Sequence, residues 1–156
     1  PALDVSEWLS GGPLNLAGLK GKIVVLDFWS ERNGEDEASY RLMEALHRLY
    51  GREGVVVIGI HEYTDDIGKV VRACAARGIG YPVAVDSQSA HTGSKGKTFD
   101  MYRFAGFPHR VIIDREGLVN VPYIATDDHI PAVSDFVGIG LDIESKVRRM
   151  RNAPAR

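Results

Sequence analysis

The chain has 156 residues, 44% hydrophobic and 26% charged, a composition typical of a single globular domain that can bury a sizeable core. Its 21 acidic and 19 basic residues give a net charge of −2, so electrostatics provide no reason to expect nucleic acid or an anionic membrane as partner. No apolar run approaches the roughly 20 residues that span a bilayer, and we expect no membrane span in this segment.

The first half of the chain alternates apolar strands with amphipathic helices. Near-continuous apolar runs such as residues 22–29 (KIVVLDFW) are typical of strands in a sheet that is covered on both faces. Apolar residues at helical spacing predict the helices, of which the second is capped by Asp65 or Asp66 and ended by Gly78. We place strands at 22–29, 55–60 and 81–85, the last behind an edge-type proline, and helices at 35–50 and from Asp66 to Gly78.

The second half begins with a polar, Gly/Ser-rich stretch, residues 87–97, which predicts a mobile loop. Two apolar runs around an Arg-Glu-Gly turn then predict a β-hairpin. Strands that alternate with helices imply parallel pairing through right-handed crossovers, with the hairpin added antiparallel, and so an α/β fold. The hairpin strands are placed at 110–114 and 118–123, and helices near 98–103, from Thr126 and over 142–150.

We expect residues 1–150 to form one domain and residues 151–156 to be a disordered tail. The chain begins at Pro1, without an initiator Met or an apolar signal segment. We therefore interpret the sequence as a domain excised from a longer protein.

Two segments carry a family resemblance. Residues 18–36 (GLKGKIVVLDFWSERNGED) resemble the strand, active-site loop and helix start of thioredoxins, and more specifically of the TlpA/ResA branch, exported thiol–disulfide oxidoreductases related to the AhpC/TSA group. Residues 106–117 (GFPHRVIIDREG) resemble the cis-proline strand of that branch. The resemblance implies a thioredoxin-like fold, with a central mixed β-sheet flanked by helices and a TlpA/ResA-type N-terminal extension. It also implies a periplasmic or other extracytoplasmic location.

The redox motif of that family is missing. The resemblance places Asn33 at the attacking cysteine and Asp36 at the resolving cysteine. Exchange needs a thiolate stabilised at a helix N-terminus and a second thiol one turn later, and an amide and a carboxylate provide neither. Cys74 is the one cysteine in the sequence, so an intramolecular disulfide and a cysteine-based zinc site are both excluded. We expect no cofactor and no metal.

Two features near the lost motif, and the cysteine of the second helix, leave alternatives open. Asp27 matches a buried carboxylate that serves as a proton acceptor in thioredoxins, and it is either a leftover base or a structural carboxylate whose pKa is raised by burial. The acidic residues around the helix start either cap its N–H groups or hold a cation. Cys74 is either a small buried hydrophobe or a reactive thiol.

The resemblance also implies a cis peptide bond at Phe107–Pro108, beside which the family pairs with extended substrate segments. A shallow peptide-docking groove can persist there without cysteines, although an ordinary solvated surface is the alternative. His109 is additionally a candidate acid–base residue. The residues expected to line the groove are Trp29, Arg32, Gly34, Phe107, Pro108 and His109.

The sequence thus favours a redox-inactive thioredoxin-like domain that serves as a binding or structural module, with a protein or peptide segment as partner. One alternative is an enzyme, with oxidoreductase or peroxidase-like activity through Cys74 or a partner's thiol, or a non-redox use of the acidic loop. The other is a dimerisation or spacer domain. Fold alone does not decide among them.

Overall fold

The computed structural model describes residues 2–33, 37–107 and 109–124. Within them, the chain forms six strands and three α-helices, with one-turn 3₁₀ helices at Ala17–Leu19 and Gly51–Glu53. The helices predicted beyond residue 125 and the tail lie outside the described residues, and the extent of the domain stays a prediction. In chain order the elements are β1 (Val5–Ser10), β2 (Ile23–Trp29), α1 (Glu37–Tyr50), β3 (Val55–His61), α2 (Ile67–Arg77), β4 (Val83–Asp86), α3 (Lys97–Met101), β5 (His109–Ile113) and β6 (Val119–Ile124).

The strands form one mixed sheet in the order β1-β4-β3-β2-β5-β6. The three strands β2, β3 and β4 are parallel, as expected for strands that are joined through helices. The β5–β6 hairpin is added antiparallel beside β2. The predicted fold, a mixed sheet with flanking helices and an added antiparallel hairpin, is confirmed.

The sheet is covered on both faces, which explains why β2 has no exposed residue. On one face, α1 and α2 bury an apolar stripe that includes Met43, Leu46 and Val70. On the other face, Phe99 of α3 packs edge-on against Phe28, with ring centroids 4.9 Å apart. Residues on alternate sides of β2 therefore belong to two separate cores.

The second helix has the limits that the sequence predicts. The side chain of Asp66 accepts a hydrogen bond from the backbone N–H of Lys69 at 3.0 Å, and Gly78 ends the helix in the left-handed conformation with φ 63°. This cap fixes the first turn of α2, and with it the position of Lys69.

The structure differs from expectation at the edge of the sheet. Residues 5–10, which were not predicted as a strand, pair antiparallel with β4, so β4 is an interior strand rather than an edge. Pro82 lies just before β4, where its carbonyl accepts a hydrogen bond from Gly59 N–H at 2.8 Å. The proline is compatible with an interior strand because it directly precedes the first residue of β4, where the hydrogen bonds between strands do not need its missing N–H.

Candidate functional site

The loop that carries the lost redox motif begins directly after β2. Because β2 and β3 are parallel, their carboxyl ends meet at the same edge of the sheet. Ser30 and Glu31 of the loop therefore lie beside His61, the last residue of β3, and Glu62, which follows it. This edge is the usual place for ligands in α/β sheets.

Glu31 is the centre of the first ion-pair group. Its carboxylate lies 2.8 Å from Nζ of Lys69 and 2.7 Å from Nε2 of His61, and its side chain is only 9% exposed. Burial by itself raises the pKa of Glu31, but hydrogen bonds from Lys69 and His61 outweigh it and bring the pKa to about 2. Glu31 is therefore a carboxylate held in place by α2 and β3, not a base available for proton transfer.

The second ion-pair group forms around Glu62. Its carboxylate accepts a hydrogen bond from Ser30 Oγ at 2.5 Å and lies 2.7 Å from Nζ of Lys95. Burial raises the pKa of Glu62, yet the hydrogen bonds from Lys95 and Ser30 leave it lowered overall. The loop before α3 is thereby joined to the loop after β2.

His61 links the two groups from the interior. The ring is fully buried, and it packs edge-on against Trp29 with centroids 4.7 Å apart. Nδ1 lies 2.7 Å from the carbonyl oxygen of Glu62 and Nε2 lies 2.7 Å from the Glu31 carboxylate. The backbone N–H of Glu31 also lies 3.4 Å from Nε2, so the ring joins the loop after β2 to the end of β3.

Beneath this surface, Asp27 is paired with Arg110 of β5. The two residues are register partners of β2 and β5, their side chains are 0% and 1% exposed, and Arg110 Nε lies 2.7 Å from the carboxylate. The same guanidinium donates a hydrogen bond to Ser39 Oγ of α1. Burial raises the pKa of Asp27, and the charge of Arg110 partly offsets this. The carboxylate expected at this position is thus enclosed in a buried ion pair.

Arg110 is the site residue that sequence reasoning missed. A signal was available, since the apolar strand RVII begins with a charged residue and the apolar strand VVLDF contains one of opposite sign. Charged groups in fully covered strands are rarely tolerated unless they are paired. Assigning the pair still requires the β2–β5 register, which only the fold provides.

Two of the residues predicted to line a docking groove are buried. Trp29 and His109 are both 0% exposed, so the structure removes them from any surface that a peptide could contact. Burial lowers the pKa of His109, whose ring packs against Phe28 and Phe104. A buried, neutral imidazole in an aromatic cluster is poorly placed for acid–base work at the surface.

The other predicted groove residues are placed as follows. Arg32 is exposed, with 70% of its side chain accessible, and its Nε lies 3.4 Å from Glu31. Phe107 is half-buried and packs against Phe104 with ring centroids 4.5 Å apart. Asn33 donates its backbone N–H to Ser30 O at 3.3 Å. Gly34, Asp36 and Pro108, with the proposed cis bond, lie outside the described residues.

Cys74 lies on α2, half-buried against the core cluster on the α1/α2 face of the sheet. Burial raises the pKa of its thiol to about 11, despite the nearby charge of Arg77. Thiolates, not thiols, are the nucleophiles in exchange chemistry. Cys74 therefore has the environment of a packing residue.

A surface trio of Ser89, His91 and Asp100 resembles a nucleophilic triad in composition only. Ser89 Oγ and His91 Nδ1 both bind the same carboxylate oxygen of Asp100, at 2.5 and 2.9 Å. In a working triad the histidine uses one nitrogen for the acid and the other for the hydroxyl. Here the trio shapes the loop before α3.

Neither a metal centre nor a membrane helix is found in the described part of the chain. No group of three His, Cys, Asp or Glu residues there is suited to hold a metal ion. Among the same residues, no helix has the length and apolar character to cross a bilayer.

The amino-acid sequence is similar to those of two known proteins. The chain is 30% identical over 122 residues to protein DipZ of Mycobacterium tuberculosis, covering 74% of this chain and 16% of DipZ. It is 30% identical over 111 residues to the thiol-disulfide oxidoreductase ResA of Bacillus anthracis, covering 71% of this chain and 60% of ResA. It thus spans less than two thirds of either relative.

The structure is similar to that of a putative thiol:disulfide interchange protein DsbE from Chlorobium tepidum, with a TM-score of 0.72 and 24% identity over 94% of this chain and 92% of that one. This likeness shows a thioredoxin-like fold. The Redoxin family model matches residues 2–139. The chain is thus similar to ResA-like thiol–disulfide oxidoreductases, and it belongs to the Redoxin family.

Proposed function

We propose that this domain has lost dithiol–disulfide exchange and acts as a binding module for an extended protein segment. The segment docks over the surface formed by Arg32 and Phe107, which we call the Arg32–Phe107 surface. The extracytoplasmic compartment implied by the family resemblance is part of the same proposal.

The observation that carries the proposal is the position of the single thiol. Exchange needs two cysteines that meet, or one thiolate at the surface, and the sequence has only Cys74. That side chain is half-buried on α2, and its pKa is raised to about 11. The same facts argue against the alternative of a peroxidase-like reaction through Cys74.

The ion pairs at the site support a structural use of the former redox loop. Glu31 of the loop after β2 is bound by Lys69 of α2. Ser30 of the same loop binds Glu62, which is bound by Lys95. The loop is therefore anchored to α2 and to the loop before α3. An anchored loop presents Arg32 in a defined place, which lowers the entropic cost of binding a partner.

Phe28 of β2 lies opposite His109 of β5, so the loop that carries Arg32 and the segment that carries Phe107 leave the sheet at the same edge. Arg32 is exposed, and the distance from its Nε to the Glu31 carboxylate is long, at 3.4 Å. Arginine and aromatic side chains are enriched at sites that dominate protein–protein binding. A segment that adds in extended form would place alternate side chains against these two residues.

The redox half of the proposal is tested by insulin reduction with dithiothreitol. We expect the natural domain and a Cys74→Ser variant to leave the uncatalysed rate unchanged. An Asn33→Cys/Asp36→Cys variant should accelerate it, whereas the matched Asn33→Ser/Asp36→Ser variant should not. Acceleration by the natural domain that Cys74→Ser abolishes would overturn the proposal.

The binding half is tested with fluorescently labelled, carboxymethylated insulin B chain, an extended polypeptide that carries no thiol. We expect the fluorescence anisotropy of the peptide to rise to saturation as the natural domain is added. Arg32→Glu and Phe107→Ser should each weaken this binding. Arg115→Glu is the matched control, because Arg115 is exposed in the β5–β6 turn at the opposite end of the sheet. Equal binding by all variants would contradict the Arg32–Phe107 surface.

A further inference from the structure

A second concave surface lies far from the former redox loop, at the end of the sheet where β3 begins. This cleft has a volume of about 410 Å³ and is formed where α1 ends, the 3₁₀ turn follows and Pro82 precedes β4. Its rim carries His47, Arg48 and Arg52, and its floor is Val55, Val56 and Pro82. We call it the Arg48–Arg52 cleft.

The two arginines of the rim are exposed and have no partner among the described residues. Other arginines of the chain differ in this respect. Arg41, on the same helix, is paired with Glu37 at 2.6 Å, and Arg77 lies over the Tyr40 ring at 4.9 Å. The cleft therefore carries two exposed positive charges that form no salt bridge among the described residues.

We propose that the Arg48–Arg52 cleft binds an oxyanion carried on a small apolar group, such as a phosphate monoester or a carboxylate. Guanidinium groups recognise such anions through paired N–H donors. The half-buried His47 stands at the same rim and adds a donor. The floor of two valines and a proline fits an apolar substituent on the anion.

The cleft is independent of the Arg32–Phe107 surface. The amino end of β3, where the cleft lies, is separated by the full length of the strand from His61 and Glu62. A result that contradicts anion binding in the cleft therefore does not contradict peptide binding at the Arg32–Phe107 surface, and the reverse also holds.

Isothermal titration with phenyl phosphate, benzoate and inorganic phosphate tests the proposal. We expect phenyl phosphate or benzoate to bind the natural protein more tightly than inorganic phosphate, because only they reach the apolar floor. Comparing phenyl phosphate with benzoate distinguishes the two sources of the anion. Arg48→Gln and Arg52→Gln should each weaken binding about tenfold, equivalent to about 1.4 kcal/mol.

Two further variants sharpen the result. Arg41→Gln removes an equal charge from the same helix, and we expect it to leave affinity unchanged. Gly51→Leu keeps every charge and puts bulk at the cleft, where a Cβ on Gly51 meets no atom within 4 Å. We expect it to weaken phenyl phosphate and benzoate binding.

Other outcomes overturn the proposal. Basic residues at the end of a helix can simply complement its dipole. In that case Arg48→Gln and Arg52→Gln would lower the melting temperature without changing anion affinity. No binding by any probe, or an equal loss in Arg41→Gln, would likewise refute a site in the cleft. Circular dichroism of each variant confirms that it is folded.

Discussion

The Asp27–Arg110 pair lies beneath the former redox loop, with both side chains inaccessible to solvent. Removing one member of a buried pair leaves the other charge without a partner, whereas removing both avoids this cost. The pair also reaches α1 through Ser39, so it holds β2, β5 and the helix together.

We expect Arg110→Met to lower the free energy of unfolding by about 3–5 kcal/mol. Asp27 must then take a proton to stay buried, and its pKa, already raised by burial, rises further. A folded-state pKa above the unfolded value stabilises at low pH, so the loss should grow as pH increases towards neutrality. Urea denaturation between pH 4 and 8 measures this.

The control for that prediction is Asp27→Asn/Arg110→Met, which removes both charges. It should be more stable than Arg110→Met alone at pH 7 and should show a weaker pH dependence. A double variant as unstable as the single one would contradict an ion-pair role.

The lowered pKa of Glu31 gives a pH dependence of opposite sign. A carboxylate whose folded pKa is about 2, against an ordinary value of 4.5, stabilises the fold above the higher value. We expect Glu31→Gln to cost about 3 kcal/mol at pH 7, and the difference from the natural protein to shrink as pH falls from about 5 towards 2.

Glu37→Gln is the matched control for Glu31→Gln. Glu37 and its partner Arg41 are both 76% exposed, and such pairs contribute about 0.3–0.5 kcal/mol. Chemical denaturation of the two variants at pH 3 and pH 7 separates them. A Glu37→Gln effect as large as that of Glu31→Gln would count against the buried network.

At the scale of elements, α3 depends on a carboxylate from a neighbouring strand. Asp86 of β4 accepts hydrogen bonds from the backbone N–H groups of Thr98 and Phe99, both at 3.0 Å. Gly96 precedes the helix with φ 153°, and a Cβ there would overlap the Asp86 carboxylate. The start of the short helix is thus positioned by the close contact between its backbone and the Asp86 carboxylate.

We expect Gly96→Ala to destabilise the protein by about 3 kcal/mol, because it adds a steric overlap to an unfavourable φ. Gly93→Ala is the comparison, since Gly93 has φ 77° but open space around its Cβ position. That variant should cost only about 1–2 kcal/mol. Thermal melts of both compare the costs, and equal values would mean that the overlap is relieved by small shifts.

The elements differ in how far the sequence determines them. The strands β2 and β3 are predictable because every or nearly every residue is apolar and buried. The strand β1 is not, because its six residues mix exposed and half-buried positions and its partner β4 lies more than 70 residues away in the chain. Its pairing is a property of the assembled sheet.

The candidate site also combines features that the sequence predicts with features that depend on the fold. The position of the loop, the missing thiols and the burial of Asp27 follow from the sequence and its family resemblance. The partners of Glu31 and Glu62 do not, since they come from α2 and from the loop before α3. Lys69 and Lys95 are ordinary surface lysines until the fold brings them to the end of β3.

At the scale of the whole molecule, β1 protects an otherwise open strand. With residues 1–10 removed, β4 would become an edge with unpaired N–H and C=O groups, which favours association with other chains. We expect this truncation to lower unfolding free energy by about 3 kcal/mol and to produce concentration-dependent oligomers in size-exclusion chromatography. A monomer of unchanged melting temperature would show that β1 is dispensable.

The ion pairs of Glu31 and Glu62 also bear on how the molecule opens locally. Backbone hydrogen bonds from Glu62 N–H to Trp29 O, and from Tyr63 N–H to Lys95 O, run alongside the side-chain links. Opening any one of these segments therefore requires releasing the others, so they form one cooperative unit. Amide hydrogens of Glu62 and Tyr63 should exchange with deuterium at a common rate, and Glu31→Gln should accelerate both together.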